Sequence, residues 1–477
     1  MKKWHYVLAL ALVCFLVYFN SLQGTFVTHD DLSILNNPSL TSFNSPSFDI
    51  PTLLYKSAYK IGGWNPVPFH AINIIFHIVN TILVFIFLSL FFKERSSFLG
   101  ALLFAVHPIH TEAVTWISGI SYLILGFFIF ASYLLYHKAV TGKLKVSYYI
   151  LSLTMFLYGM IYLNKGFYMV FPFLLLLSDW YFNRTRMKNF FLRLPYFAIV
   201  VAAFIFFFSA LEKKVTGNTF NVALNWMNKA DTPFALLVYE AQWKNLWAYI
   251  SYSIINNFRL LIHPVNLTFY HEPVLIFIQA ILQYLDKIYF IFLGLFIFAF
   301  KKRFIRITLF IIAFYLLFLI PTFLPREIAI GSIVAERYLY VPSIVLSFCV
   351  CAFFDRISKG RMFFLIAFSI LLFLCSLLTI RRNLDYKSFF NYWKITVENS
   401  PKSHRAHNDL GLAYIKAKGD YAKAVKEFTR AIHLDPTFSL GIYNLKKALK
   451  KQGKDLLMMK YDRQKRRWTF YVSGKKP

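Results

Sequence analysis

The residues that could do chemistry in this chain gather in a few short stretches. FVTHDD carries His29, Asp30 and Asp31; PVPFHAINIIFHIVN carries His70, Asn73, His77 and Asn80 at helical spacing, so they share a face. HPIHTEAVTWISG brings His107, His110 and Glu112, the stretch LNKG brings Asn164 and Lys165, and PREIAIGSIVAERYLYVPS brings Arg326, Glu327, Glu336, Arg337 and Tyr338. A carboxylate pair ringed by imidazoles and cations at a membrane edge has the parts for general-base chemistry on a phosphate-bearing lipid. Each part also has a plainer reading. Asp30–Asp31 could cap a helix and begin a solvated loop, and the row from His70 to Asn80 could be hydrogen-bond glue between helices. His107, His110 and Glu112, with Asp30, could bind Zn²⁺ or Mn²⁺. Pro108 and the irregular spacing favour a hydrogen-bond network at a helix end over that divalent metal. Arg337 could simply snorkel to the interface, while Asp179 and Trp180 read as interfacial anchors.

The elements that must position these groups are membrane spans. The chain of 477 residues is 58% hydrophobic and 20% aromatic, yet its net charge is +30. Those figures fit together only if charge collects between apolar stretches. About eleven stretches are long and apolar enough to be read as spans: 6–23, 67–92, 97–115, 118–137, 146–163, 167–182, 195–211, 285–300, 304–322, 338–354 and 362–380. The first follows Lys2 and Lys3 and lacks a small-residue cleavage site before Thr25 and Phe26, so it is expected as a retained helix rather than a signal peptide. With the N-terminus inside, alternate short loops carry Lys93 and Arg95, Lys138 and Lys143, Arg184 and Arg186, Lys301 to Arg303, and Arg356 to Arg361, a regular cytoplasmic bias. Residues 235–266 break the tally: Trp243, Trp247 and Tyr249 accompany Asn256, Asn257, Arg259 and His263. Counting them as a span would invert the bias afterwards, so an interfacial helix is expected. The four cysteines lie inside apolar runs and predict no disulfide framework.

The expected fold class is all-α, a polytopic transmembrane bundle over 1–382 followed by an extracytoplasmic helical domain over 383–477. HRAHNDLGLAYIKAKGDYAKAVKEFTRAIHLDP has the small-residue and proline pattern of a tetratricopeptide repeat, with a period of ~34 residues. Trp393, Val397 and Pro401 suggest a half-repeat before it, and Tyr443, Leu445, Ala448 and Gly453 a degraded capping repeat after it. Such surfaces usually hold proteins or peptides; a short array could also merely buttress the membrane part. The basic C-terminal stretch would face anionic headgroups, an acidic partner or solvent, and nucleic acid is excluded as a partner on the outer side of a membrane.

Taken in order, FVTHDD, PVPFHAINIIFHIVN, HPIHTEAVTWISG, the Lys165 turn, FPFLLLLSDW, IGSIVAERYLYVPS, RRNLDYKSFFNYW and the repeat pattern resemble the transmembrane-and-tetratricopeptide-repeat O-mannosyltransferases and their bacterial relatives, in the GT-C glycosyltransferase superfamily. The resemblance covers nearly the whole chain. It implies an enzyme that moves a sugar from a polyprenyl-phosphate carrier to an acceptor hydroxyl, Ser or Thr of a protein, with inversion, on the non-cytoplasmic face of the membrane; a compact chain with few repeats suits a bacterial plasma membrane better than the endoplasmic reticulum. By position, Asp30 would be the base and Asp31 would orient the acceptor or tune that base. Arg337, with Lys165 second, would neutralise the lipid phosphate. His107, His110, Glu112, Glu336 and Tyr338 would shape the donor pocket, and His29, His70 and Asn73 would lie on the acceptor side. Two departures stand out: Ile120, Ser121 and Tyr122 replace an Arg or Asp pair common after HPIHTEAVTWISG, and Gly166 replaces a common Glu. A lipid- or glycan-modifying transferase of the same architecture, or a non-enzymatic repeat scaffold, are the competing expectations. A transporter is disfavoured, because no internal repeat of spans is evident.

Overall fold

The computed structural model describes residues 3–28, 30–41, 49–142, 146–162, 166–184, 187–216, 246–271, 302–323, 334–357, 360–462 and 467–474. The chain starts with an apolar helix, α1 (Lys3–Tyr18), extended by a 3₁₀ turn to Gln23. A short amphipathic helix follows, α2 (Ile50–Gly62), started by the Asp49 carboxylate accepting from Thr52 N at 3.0 Å. Asn65 caps α3 (Pro66–Leu88) in the same way, accepting from Val67 N. In hydrocarbon the backbone must satisfy itself, which is why these apolar runs are helical.

α4 (Glu94–Val106) is stopped by the pair His107–Pro108. Proline withholds an N–H and pushes His107 into an extended conformation, φ −68° and ψ 128°. After one 3₁₀ turn the chain resumes as α5 (Thr111–Thr115), bent by 50° from α4. Next come α6 (Ile120–Thr141), α7 (Val146–Tyr162), α8 (Phe171–Tyr181), α9 (Met187–Thr216), α10 (Leu246–Ile262), α11 (Lys302–Leu319), α12 (Ile344–Phe354) and α13 (Arg361–Asn383). Five of the described helical segments are long and apolar enough to span a membrane, or six with the bent pair α4–α5. Four shorter apolar helices, Val146–Met160, Phe167–Tyr181, Asn189–Ala203 and Ile344–Phe354, stand where further spans were expected. The expected span 285–300 lies outside the described residues. α10 is not among the helices that meet the spanning criteria; it packs through Leu260 and Leu261, both buried.

The tail contains α14 (Phe389–Asn399), α15 (His404–Lys418), α16 (Tyr421–Leu434) and α17 (Ser439–Lys451), each packed on its neighbour. Gly411 permits the α15–α16 approach, since a Cβ there would come within 2.5 Å of the Phe428 ring. The tail is fastened to the membrane part by the segment after α10. Tyr270 OH donates to Asp409 at 3.0 Å, Ser400 Oγ to Tyr270 O at 2.6 Å, and Asn399 Nδ2 to Leu267 O at 3.0 Å. An aromatic cluster of Trp116, Phe269, Tyr386, Tyr392 and Trp393 fills the seam.

The end of the chain departs from the all-α expectation. Residues Lys454–Asp462 and Arg467–Gly474 form an antiparallel pair, β1 and β2, with Lys454 opposite Gly474 and Asp462 opposite Arg467. Gly453, at φ 72°, ends α17, and RWTFYV is dense in aromatic and β-branched residues that favour strands. The basic stretch is therefore helical only as far as Lys451 and paired strand beyond it.

Candidate active site

The C-terminal ends of α1, α4 and α13 and the N-terminal ends of α3 and α6 come together at one end of the bundle, where the tail also begins. Asp30 sits there, fully buried. Its Oδ2 accepts from Val27 N at 2.8 Å; its Oδ1 accepts from Ser118 N at 3.0 Å and from the Ser118 hydroxyl. Burial pushes the Asp30 carboxyl up to about 7, although the hydrogen bonds from Ser118 and Val27 pull it down. Beside it opens a cleft of about 210 Å³ bordered by the hydroxyls of Ser33, Thr52, Tyr55, Ser118 and Ser121 and by Pro51 and the Asp49 carboxylate that caps α2.

Arg337 reaches the same neighbourhood from far along the chain. Glu112 Oε1 meets its Nη1 at 2.5 Å, and Glu112 Oε2 accepts from its backbone N–H at 2.8 Å. The guanidinium lies over the rings of Phe269 and Tyr338, at 4.7 and 4.9 Å from their centroids. Both ends of the short segment Glu112–Ser118 are thus used: one holds Arg337 and the other holds Asp30. Asn73 fixes this segment by donating to the carbonyls of Val114, Trp116 and Ile117 at 3.1, 2.9 and 3.2 Å.

The histidines are mostly hydrogen-bonded into the bundle. His77 pairs with Tyr340 OH and Ala105 O, and Asn80 donates to Leu123 O and Tyr340 OH. His110 Nδ1 donates to Phe104 O at 2.8 Å, while its Nε2 pairs with Ser343 Oγ at 2.7 Å. His107 caps the bend, its Nδ1 accepting from Ile109 N and its Nε2 donating to Leu261 O. His70 is buried against Gly24, where a Cβ would come within 2.9 Å of its Nε2. Among the described residues no group of three His, Cys, Asp or Glu side chains is arranged to hold a metal ion.

His29, Asn164, Lys165, Arg326, Glu327 and the side chain of Asp31 lie outside the described residues. Asp179, expected as an interfacial anchor, is buried instead: Tyr136 OH donates to its Oδ2 at 3.0 Å and Arg193 Nη1 stands 3.6 Å away. Sequence reasoning missed three residues. Ser118 is the partner of Asp30. Arg382 is 3.4 Å from Glu336, the neighbour of Arg337, and 2.7 Å from Asp385. Asn383 joins α5 to the end of α1 through Thr115 Oγ1, Val17 O and Asn20 Oδ1. Their signal was available only for the arginine: a cation closing an otherwise apolar run, in RRNLDYK.

Human protein O-mannosyl-transferase TMTC3 is 25% identical to this chain over 466 residues, covering 88% of the chain and 50% of the relative. The chain resembles the TMTC protein O-mannosyl-transferases. Human TMTC1 is 38% identical over 128 residues, 22% of this chain and 14% of that protein, and human TMTC4 is 31% identical over 153 residues, 24% and 20% respectively. The chain spans about half the length of the TMTC3 it matches. No family model matches the chain, and no solved structure does.

Proposed function

We propose that this protein is a multi-pass membrane glycosyltransferase that moves a sugar from a polyprenyl-phosphate carrier to a hydroxyl of a protein acceptor. The observation that carries the proposal is the convergence of buried Asp30 and the Glu112–Arg337 pair on one short segment at one end of the spans. The names of the relatives support transfer to protein. In the reaction the acceptor oxygen forms a bond to the sugar's anomeric carbon while the bond from that carbon to the phosphate oxygen breaks, inverting the centre. The acceptor proton passes to Asp30, and the electron pair leaves with the polyprenyl phosphate.

The acceptor hydroxyl enters through the serine-rimmed cleft and takes the place of the Ser118 hydroxyl on Asp30 Oδ1. Arg337, pre-oriented by Glu112 and stacked on aromatic rings, offers its remaining N–H groups to the departing phosphate. Lys165 is a second cation for that role, and Asp31 orients the acceptor. The reading needs no metal. We place about eleven spans in the membrane, a cytoplasmic N-terminus, and the site with the tail on the outer face of a bacterial plasma membrane. Residues 1–382 form the catalytic part, and the tail from 383 a tetratricopeptide-repeat unit, its helices ending at Lys451 before the β1–β2 pair, that presents the protein acceptor.

Two experiments test this. In proteoliposomes, a polyprenyl-phosphate sugar labels a Ser- or Thr-containing protein acceptor and a water-soluble nucleotide sugar does not; transfer from the nucleotide sugar would refute the lipid donor. In intact cells, a membrane-impermeant maleimide labels Ser33→Cys and leaves Arg95→Cys unlabelled, and the reverse pattern would refute the orientation. Proton acceptance also fixes a pH dependence. The base works only when ionised, so kcat/KM rises with pH through about 7 and levels off above it. A profile flat between pH 5.5 and about 8 would remove Asp30 from the role.

A further inference from the structure

A second cavity, of about 650 Å³, lies at the opposite end of the bundle, between the start of α1, the start of α4 and the α12–α13 turn. α1 leads from Lys3, 2.9 Å from Glu94, to the turn that precedes the Asp30 loop, so the two sites are separated by the length of the spans. Lys93, Arg95, Arg356 and Arg361 line this cavity, against the two carboxylates of Glu94 and Asp355. Both carboxylates are engaged: Glu94 by Lys3, and Asp355 by the Ser96 hydroxyl at 2.5 Å and Lys93 N at 3.4 Å. Among the described residues, no carboxylate pairs with Lys93, Arg95 or Arg361 within salt-bridge distance, although Asp355 shares the same cavity wall.

The backbone adds to the positive potential. α13 begins at Arg361, and Gly360 before it is left-handed at φ 65° and provides no side-chain cap, so the first-turn amides next to Arg361 have no side-chain acceptor from the cap position. Exposed apolar side chains adjoin the lining residues in the chain: Met362 and Phe363, after Arg361, are 70% and 68% exposed, and Phe353, before Phe354, is 44% exposed. A cationic recess flanked by exposed apolar side chains at the ends of spanning helices matches a ligand with an anionic head and hydrocarbon tails.

We propose that this recess binds the phosphate of an anionic phospholipid headgroup, with the acyl chains running down the exposed face of α13. Phosphate chemistry alone would also suit a soluble phosphate; the adjoining exposed apolar side chains favour the lipid. The site ties the α4 start to the α12–α13 turn at the face away from the proposed active site.

The test uses the full-length protein in zwitterionic nanodiscs doped with phosphatidylglycerol, with bound lipid counted by native mass spectrometry. Arg95→Gln with Arg361→Gln is expected to weaken phosphatidylglycerol retention about 20-fold. The tail pair Lys426→Gln with Lys446→Gln, which removes the same charge elsewhere, is expected to leave retention unchanged. Equal weakening by both pairs would overturn the site in favour of diffuse surface charge. Displacement of the lipid by equimolar glycerol phosphate or inorganic phosphate would overturn the lipid as ligand. If the first pair melts early, Lys93→Gln alone is scored against the same control, and unchanged retention there also counts against the site.

Discussion

Asp30→Asn is expected to lower sugar transfer by ~10²–10⁴-fold, the contribution of a positioned general base, and to do so in kcat more than in KM. Both Asp30 oxygens accept backbone N–H groups, from Val27 and Ser118. An amide nitrogen in either place would face a donor, so some loss of stability, about 1–3 kcal/mol, accompanies the change. Ser118→Ala separates the two effects. It removes the hydroxyl that holds Oδ1 while leaving the Ser118 N–H and the carboxylate in place. If the acceptor hydroxyl displaces Ser118 Oγ, this variant retains transfer, and the weaker support for the ionised form shifts the pH profile upward. Transfer at wild-type rate by Asp30→Asn, at normal expression, would return the protein to the scaffold reading.

The second large effect concerns Glu112 and Arg337, both almost fully buried. Removing one partner of a buried pair leaves an uncompensated charge, and Glu112→Ala is expected to cost ~3–5 kcal/mol of stability. Arg337→Lys keeps the charge but gives up both the planar fork and the stacking on Phe269 and Tyr338. It is expected to raise the donor KM at least tenfold with a smaller fall in melting temperature than Glu112→Ala. The double variant Glu112→Gln with Arg337→Gln removes both charges, so it melts later than Glu112→Ala yet does not transfer sugar. Recovered transfer in that double variant would make the pair a strut, with no part in holding the phosphate.

The buried pair lies in a wider set of charges. Glu336 meets Arg382, Arg382 also meets Asp385, and His271 stands 3.6 Å from Glu336. These contacts join the strand of chain carrying Arg337 to the last spanning helix and to the start of the tail. The tail is thus fastened beside the site from two directions, through Arg382 and through Tyr270 on Asp409. A protein acceptor held on the tail would be delivered next to the serine-rimmed cleft.

Sequence by itself made the apolar helices legible, five of them long enough to span a membrane or six with the bent pair, because hydrocarbon leaves a polar backbone no choice but to pair within an apolar run, and that demand is visible one segment at a time. It also determined the shared face of His70, Asn73, His77 and Asn80, which follows from helical spacing alone; the expected span 97–115, by contrast, is bent by 50° at His107–Pro108, where one ring and one missing N–H interrupt the helix. Tertiary structure alone decided what those faces meet. Tyr340, the partner of both His77 and Asn80, is remote in sequence, as are Glu112 from Arg337 and Ser118 from Asp30. The closing hairpin of β1 and β2 likewise depends on pairing between two segments that looked helical or solvated one at a time. Local sterics and burial are written residue by residue, whereas a hydrogen bond between distant segments exists only once the helices between them have packed.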